Sequence, residues 1–266
     1  MSKSQIFPES HYEFSNMSWC DILRAYNKHK TITGIVEKIL PDEEELLVKL
    51  GEKLYGRLPF SEVSIYPHTY SSNPERTLPI QIYTLLDKQI RVKVTGLYGI
   101  TLSRKKNMHE AYKHLSTCST ALLHITSATP YFAFGDIGDG IIARMSIKEV
   151  CKSRIKSVTD YFHVQDKIWV KILDVDKLKR FNVSHKAACA EYNPEDYKRG
   201  DVCSVTICGP VDEIHSGYFA NVAPNVVGIV DAYSHTPLLQ YGTKVECFVC
   251  TANEVGLKLR FIRIIA

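Results

Sequence analysis

Beyond its N-terminal region, the chain is built from short runs in which apolar and polar residues alternate. Ile168, Val170 and Ile172 share one face of a run, and Phe181 and Val183 share one face of the run that returns. A period of two is typical of strands with one buried face. Because the runs are short and recur in groups of five, the pattern predicts small β-barrels.

Two segments have a helical period instead. Residues 104–115 form a basic amphipathic segment that we expect to be a connector helix. Near the N-terminus, Asn16 or Ser18 can cap a helix whose apolar residues lie three to four positions apart, namely Trp19, Ile22, Leu23 and Tyr26. Residues 1–16 show no period and are predicted to be a loosely held arm.

The strands form three sets, and the same succession of strands and turns recurs in each set. Their first strands begin near Thr31, Ser119 and Asp201, a spacing of roughly 80 to 90 residues that fits tandem domains. We therefore predict a mostly β protein with three tandem five-stranded barrels joined by short helices. The predicted parts are an arm at 1–16, a first barrel with its leading helix at 17–106, a connector helix and second barrel at 107–192, and a third barrel at 193–266.

The composition is that of an ordinary soluble protein. Of the 266 residues, 45% are hydrophobic and 23% are charged, which places the chain in the globular class. No apolar run approaches the length that spans a membrane. Residues 1–9 lack the basic-then-apolar pattern of a signal peptide. We expect a soluble, unexported protein that does not bind membranes.

The net charge of +4 is small but unevenly distributed. Residues 117–187 carry eleven Lys and Arg against seven Asp and Glu, whereas residues 31–106 carry eleven against nine and residues 197–266 carry six against six. The middle segment therefore has the charge that best suits a polyanionic partner.

The eight cysteines suit a reducing compartment if they are unpaired. Cys247 and Cys250 form the one CxxC motif, but they lie in a predicted strand, where an odd spacing points the thiols to opposite faces. No second pair completes a four-ligand site. The sequence therefore predicts core thiols, with no metal and no cofactor.

Aromatic and basic residues concentrate between residues 131 and 186. Tyr131, Phe132 and Phe134 open a predicted strand, and Arg180 lies on the polar face of a later hairpin. Aromatic rings can stack on nucleic-acid bases and Arg can contact phosphates. An aromatic strand and a basic hairpin in one barrel would form such a surface.

The motifs in this region resemble the S1-type RNA-binding domain family, an OB-fold barrel. The family pattern Tyr/Phe-Gly-Ala-Phe-Val-Asp-Ile-Gly stands here as residues 131–138, Tyr-Phe-Ala-Phe-Gly-Asp-Ile-Gly. The family's closing pattern of Asp, Arg and Ser-x-Lys stands as Asp176, Arg180 and residues 184–186. Further matches lie at 56–62 and 102–105 in the first set and at 217–219, 224–228 and 197–201 in the third.

This resemblance implies single-stranded RNA binding and identifies the residues that carry it. In the middle barrel they are Tyr131, Phe134, Arg144, Asp176 and Arg180, with Arg144 at a position where the family often has His. Phe132 replaces a small Gly and adds a possible third ring. In the third barrel, Phe219 matches the family aromatic and Tyr218 lies beside it.

Structural interpretations of the same residues remain open. Strict alternation would put Tyr131 and Phe134 on opposite faces, so they form a platform only if Tyr131 lies in the turn before the strand. Arg144 could be a solvated strand residue. Asp176 and Arg180 could simply close a hairpin, as an ion pair of little energetic value.

We expect a non-catalytic single-stranded RNA-binding protein that acts on mRNA in translation, in the cytoplasm, with the ribosome as a further candidate partner. The alternative is a protein-interaction or regulatory module that docks to the ribosome or to an RNA-processing complex. An enzyme is disfavoured because the sequence shows no grouping of nucleophile, base and orienting residue and no phosphate-binding Gly loop.

Overall fold

Three groups of five strands close into three barrels, and this confirms the predicted mostly β fold class. The computed structural model describes residues 6–73, 77–153, 155–212, 216–233 and 236–265. Within these ranges there are three α-helices: α1 (Trp19–Asn27), α2 (Ile80–Leu85) and α3 (Arg104–Leu115). None of the described helices is long and apolar enough to cross a membrane.

The first barrel contains β1 (Thr31–Leu40), β2 (Glu45–Lys49), β3 (Tyr55–Pro59), β4 (Gln89–Gly96) and β5 (Thr101–Ser103). The middle barrel contains β6 (Thr120–Ala128), β7 (Phe132–Asp136), β8 (Ile142–Ser146), β9 (Lys167–Val175) and β10 (Phe181–Ser184). The third contains β11 (Val202–Pro210), β12 (Gly217–Ala223), β13 (Val226–Asp231), β14 (Lys244–Asn253) and β15 (Gly256–Ile264).

The first and third barrels share one strand order, β1-β2-β3-β5-β4 and β11-β12-β13-β15-β14. In each, the third and fifth strands pair in parallel, through Arg57↔Thr101 and through Gly228↔Leu257. Read around its closed ring from β6, the middle barrel has the same order, β6-β7-β8-β10-β9. Closure leaves no sheet edge, so each strand has a paired neighbour on both sides.

The cores follow the predicted alternation. Inward residues such as Val48, Val170 and Ile207 are fully buried, while their outward neighbours remain partly or largely exposed. The buried residues are mainly Val, Ile and Leu, whose branched side chains pack well on a pleated surface. Burial of this apolar area is the main force that stabilises each barrel.

The helices agree with the sequence in part. Helix α3 has the predicted bounds, and Ser18 rather than Asn16 caps α1 through a reciprocal capping box with Asp21. Trp19 of α1 is 49% exposed, although it was predicted to lie on the packed face. Helix α2 was not predicted, since six residues are too few to show a period.

The described chain divides into two compact units. The first consists of the chain up to His124 with Gly135–Ala143 and Val175–Phe181. The second consists of Ile125–Phe134, Arg144–Asp174 and the chain from Asn182 onwards. Because this division runs through the middle barrel, the predicted domain boundaries stay a prediction.

In the first unit, a buried carboxylate holds the N-terminal segment in place. Glu9 is 8% exposed, and its two oxygens accept hydrogen bonds from Nε and Nη2 of Arg104 at 2.9 and 2.8 Å. The backbone N–H of Arg91 also donates to Glu9, at 3.0 Å. The prediction of a loosely held arm is therefore wrong for the part of it around Glu9.

Asp136 continues this network into the turn after β7. Its Oδ2 accepts from the backbone N–H of Glu9 at 2.7 Å, and its Oδ1 accepts from the N–H groups of Gly138 and Gly140 at 2.8 and 3.0 Å. Gly140 has a φ of +81°, and a Cβ there would lie 1.9 Å from Nη2 of Arg104. Only glycine therefore fits at this turn.

The network holds one more acid than base. Glu9, Asp136 and Asp139 face Arg91 and Arg104, and Nη1 of Arg91 donates to Oδ1 of Asp139 at 2.6 Å. Burial, followed by the charge of Glu9, raises the pKa of Asp136 to about 7. Burial likewise raises the pKa of Asp139. A surplus carboxylate in a poorly solvated site favours its neutral form.

In the second unit, buried amides join segments of the middle barrel to the third. Asn221 accepts from Oγ of Ser153 at 3.0 Å and donates to the hydroxyl of Tyr161 at 3.1 Å. Nδ2 of Asn225 lies within hydrogen-bond distance of three carbonyl oxygens, those of Lys186, Cys189 and Ala190, to which its two N–H groups donate. These bonds fix the attachment of the third barrel within this unit.

The raised pKa of Asp136 predicts an unusual pH dependence. In the folded state Asp136 keeps a proton that the unfolded chain releases near pH 4. The contribution of Asp136 to the free energy of unfolding is therefore lost as pH rises from about 4 to about 7. The loss amounts to at most about 1.4 kcal/mol per pH unit. The melting temperature of the parent minus that of Asp136→Asn should therefore decrease as pH rises from 5 to 8.

Asp176→Asn is the matched control. The pKa of Asp176 is lowered, so its contribution is lost only as pH falls below the ordinary Asp range. Its melting temperature relative to the parent should stay constant between pH 5 and pH 8. Equal behaviour of the two variants over this range would refute the assignment of the surplus proton to Asp136.

Candidate nucleic-acid interface

Tyr131 lies in the turn that precedes β7 and is 66% exposed. The turn is ordered, because the N–H of Phe132 donates to Oγ1 of Thr129 at 3.1 Å and the N–H of Ile147 donates to the carbonyl of Tyr131 at 2.9 Å. Since Tyr131 precedes the strand, the alternation of β7 does not bury it. The condition for an aromatic platform is met.

Phe132 and Phe134 lie two residues apart on β7 and therefore share its outward face. Both are half-buried, whereas Ala133 between them is fully buried. Their ring centroids are 6.1 Å apart, with the ring planes inclined at 39°. The strand thus presents two neighbouring aromatic faces, a surface on which bases can stack.

Arg144 extends from the outward face of β8 towards these rings. Its guanidinium carbon lies 5.3 Å from the centroid of Phe132, within the range of a cation–π contact. Its Nε donates to Oδ1 of Asn182 at 3.1 Å. Asn182 in turn donates through Nδ2 to Oδ1 of Asp174. Arg144 is therefore held by two partners, and the interpretation as a merely solvated residue does not fit.

Asp176 and Arg180 form a closed hairpin in the first unit. Nε and Nη2 of Arg180 both lie 2.8 Å from Oδ2 of Asp176. Oδ1 of Asp176 accepts from the N–H groups of Leu178 and Arg180 at 2.8 and 3.0 Å. Burial opposes ionisation, but these hydrogen bonds outweigh it and lower the pKa of Asp176. The pair closes the hairpin, and a contact with RNA stays a prediction.

Tyr218 and Phe219, the two binding residues predicted in the third barrel, lie on opposite faces of β12. Phe219 is 42% exposed on β12 and faces Ile229 of β13 across the ladder. Tyr218 is 2% exposed and packs in the core, where its hydroxyl accepts from the N–H of Leu239 at 3.3 Å. Tyr218 is therefore corrected from a binding residue to a core residue, because strand alternation turns it inward.

The corresponding surface of the first barrel is acidic. Nη1 of Arg57 on β3 donates to Oε2 of Glu45 at 3.0 Å and also to Glu43. Two carboxylates thus accept hydrogen bonds from the one guanidinium on this strand, and their negative charge opposes the approach of a phosphate backbone.

Sequence reasoning missed several residues of these surfaces. Neither Asp174 nor Asn182 was given a role. In the third barrel, the guanidinium carbon of Arg260 lies 5.2 Å from the ring centroid of Tyr233, and Arg260 pairs with Asp231 across a parallel ladder. That long-range pairing leaves no local signal. The outward position of Trp169, by contrast, follows from its alternation with buried Val170.

The thiols of the CxxC motif differ in burial. Cys247 is fully buried in the third barrel's core, and Cys250 is partly buried. Across the residues that the structure describes, no three His, Cys, Asp or Glu side chains group as metal ligands. The absence of a bound metal stays a prediction.

Comparison with known proteins gives partial matches. No family model matches the chain. The small ribosomal subunit protein bS1 of Staphylococcus saprophyticus is 24% identical over 235 residues, which cover 86% of this chain and 56% of the relative. The small ribosomal subunit protein bS1c of Spinacia oleracea is 26% identical over 162 residues, 61% of this chain and 37% of the relative. The chain thus spans about half or less of the length of these relatives.

Among solved structures, a multidomain protein with nucleic acid binding domains from Streptococcus pneumoniae aligns with 88% of this chain and 73% of its own, at 13% identity and a TM-score of 0.28. The resemblance drawn from the motifs is confirmed by the two relatives named bS1 and by the closure of three five-stranded barrels. By these findings the chain is similar to proteins of the S1-type RNA-binding domain family.

Proposed function

We propose that the chain binds single-stranded RNA through the outward face of the middle barrel. The observation that carries this proposal is the Phe132–Phe134 ring pair with the guanidinium of Arg144 over Phe132. Exposed Tyr131, in the turn before the strand, offers a further ring. Unpaired bases offer aromatic faces to such rings, and their backbone offers negative charge to nearby Lys and Arg. Duplex nucleic acid keeps its bases stacked and suits this surface less well.

The setting of this binding is proposed from the relatives. Both are ribosomal proteins by name, which supports mRNA as the RNA, translation as the process, the ribosome as a further partner and the cytoplasm as the location. The proposed role is binding without catalysis. The excess of Lys and Arg over Asp and Glu in residues 117–187 agrees with a polyanionic partner.

A second function, protein docking, is proposed for the first barrel alone. Glu43 and Glu45 occupy Arg57 there, so this surface suits RNA poorly. Trp19 and Leu23 of the neighbouring helix α1 are exposed and apolar. Exposed aromatic residues are enriched at the centres of protein interfaces.

Binding to single-stranded RNA should be sensitive to salt, because Lys and Arg release counterions from the phosphates that they contact. Fluorescence polarisation of a labelled single-stranded RNA, titrated with the full chain between 50 and about 200 mM salt, measures this. Double-stranded RNA of the same sequence is the control and should bind more weakly. An affinity that is independent of salt would favour protein docking as the main function.

Loss of one ring from the middle barrel should weaken RNA binding substantially. Base–aromatic stacking contributes roughly 1–3 kcal/mol per base, so Phe134→Ala and Tyr131→Ala should each raise the Kd roughly 5- to 150-fold. Arg180→Ala should act mainly by lowering the slope of log affinity against log salt by about one. The variants must melt like the parent, since lost packing would also lower stability.

The third barrel offers an internal comparison of surface and core. Phe219→Ala should weaken RNA binding less than Phe134→Ala, because residues 197–266 carry no net charge. Tyr218→Ala should instead destabilise the third barrel by about 3–5 kcal/mol through loss of a buried ring, measured by chemical denaturation. If Phe219→Ala abolishes binding while Phe134→Ala binds like the parent, the third barrel is the RNA site.

A further inference from the structure

Four side chains form a row across adjacent strands of the middle barrel. The strands β9, β10, β8 and β7 are neighbours around the barrel. Asp174 lies on β9, Asn182 on β10 and Arg144 on β8, and the row ends at Phe132 on β7. Each member contacts the next, from carboxylate to amide to guanidinium to ring.

The row determines how the guanidinium is oriented. An ionised carboxylate only accepts hydrogen bonds, so Asp174 fixes the Nδ2 side of the Asn182 amide towards itself. The amide oxygen must then face Arg144, where it accepts the hydrogen bond from Nε. With Nε occupied, the two Nη groups of Arg144 remain as a planar fork. Neither has a partner among the described residues.

A pre-oriented fork of this kind matches a ligand with two adjacent acceptors in one plane. Guanine presents two acceptors, O6 and N7, side by side. Adenine presents N7 beside the N6 amino group, which is a donor and therefore cannot accept a hydrogen bond from the guanidinium. Cytosine also has two neighbouring acceptors, but its single ring offers less area for stacking. In single-stranded RNA these base edges are open to side chains.

We propose that Arg144 makes the middle barrel select guanosine at the base that stacks on Phe132 and Phe134. This inference rests on the proposed RNA binding and specifies which base the same surface prefers. The guanidinium carbon lies 5.3 Å from the centroid of Phe132, so a base stacked on the two rings would lie beside the free fork. Asp174 and Asn182 are positioning residues, which act by holding Arg144.

The test uses short uridine oligonucleotides that carry one central guanosine, adenosine, cytidine or 7-deazaguanosine, titrated with the full chain. A bidentate contact should make the guanosine oligonucleotide bind roughly 5- to 150-fold more tightly than the adenosine one. Replacing N7 by carbon removes one acceptor, so 7-deazaguanosine should lose most of this preference. The single guanosine prevents self-association of guanine-rich strands.

Arg144→Lys keeps the positive charge but removes the planar fork. It should abolish the preference for guanosine, so that the guanosine and adenosine oligonucleotides bind this variant with similar affinity. Asn182→Ala should reduce the preference in the same way, with an unchanged salt slope. Arg57→Lys is the matched control: Arg57 lies on the third strand of the first barrel and is already occupied by carboxylates, so the preference should persist.

The possible outcomes separate the two proposals. If no oligonucleotide binds, RNA binding by this chain is refuted and the base preference with it. If all four bind equally, RNA binding stands and the guanosine assignment is wrong. If Arg144→Lys weakens all four oligonucleotides by the same factor, Arg144 contacts the phosphate backbone and the base assignment is likewise overturned.

Discussion

Closure of five strands into a barrel is the constraint on which the rest of this structure depends. A closed barrel has one inside, so each strand must alternate between side chains that fill it and side chains that leave it. On β7 this alternation buries Ala133 and turns Phe132 and Phe134 outward. On β12 the same rule buries Tyr218 and exposes Phe219. The candidate binding surface is therefore a by-product of barrel packing.

Hydrogen bonds between polar side chains orient the outward residues that core packing does not hold. An outward Arg on a strand has many rotamers, and immobilising it costs conformational entropy. In the middle barrel Arg144 donates to Asn182, and Asn182 donates to Asp174, so Arg144 is restricted before any ligand arrives. Pre-organisation of this kind lowers the entropy lost on binding. Asp176 plays a comparable part for Arg180, which it holds from within the same hairpin.

One strand order carries different surfaces in the first and third barrels. Arg57 of the first barrel is neutralised by glutamates, and Phe219 of the third lies beside Ile229 in a segment, residues 197–266, that carries no net charge. The middle barrel combines rings with a held guanidinium. The fold therefore specifies where a ligand can lie, and the outward residues specify whether it binds there.

Much of the fold could be predicted from the sequence, because alternation and turn residues act over a few neighbouring positions. The start of β1 at Thr31 and the bounds of α3 agree with the predictions, and Ser18 was one of two predicted caps. The local motif at residues 131–138 also identified the aromatic strand. Helix α2 was missed, because a six-residue helix is set by the packing of its surroundings rather than by a period of its own.

The tertiary structure alone decided which residues meet. The ion pair of Glu9 with Arg104 joins residues far apart in the chain and overturned the prediction of a loose arm. The pairing of Arg144 with Asn182 likewise depends on β8 and β10 becoming neighbours. Sequence periodicity reports which face a side chain takes, because that depends on the local backbone. It carries no information on strand order and register, which barrel closure sets over the whole chain.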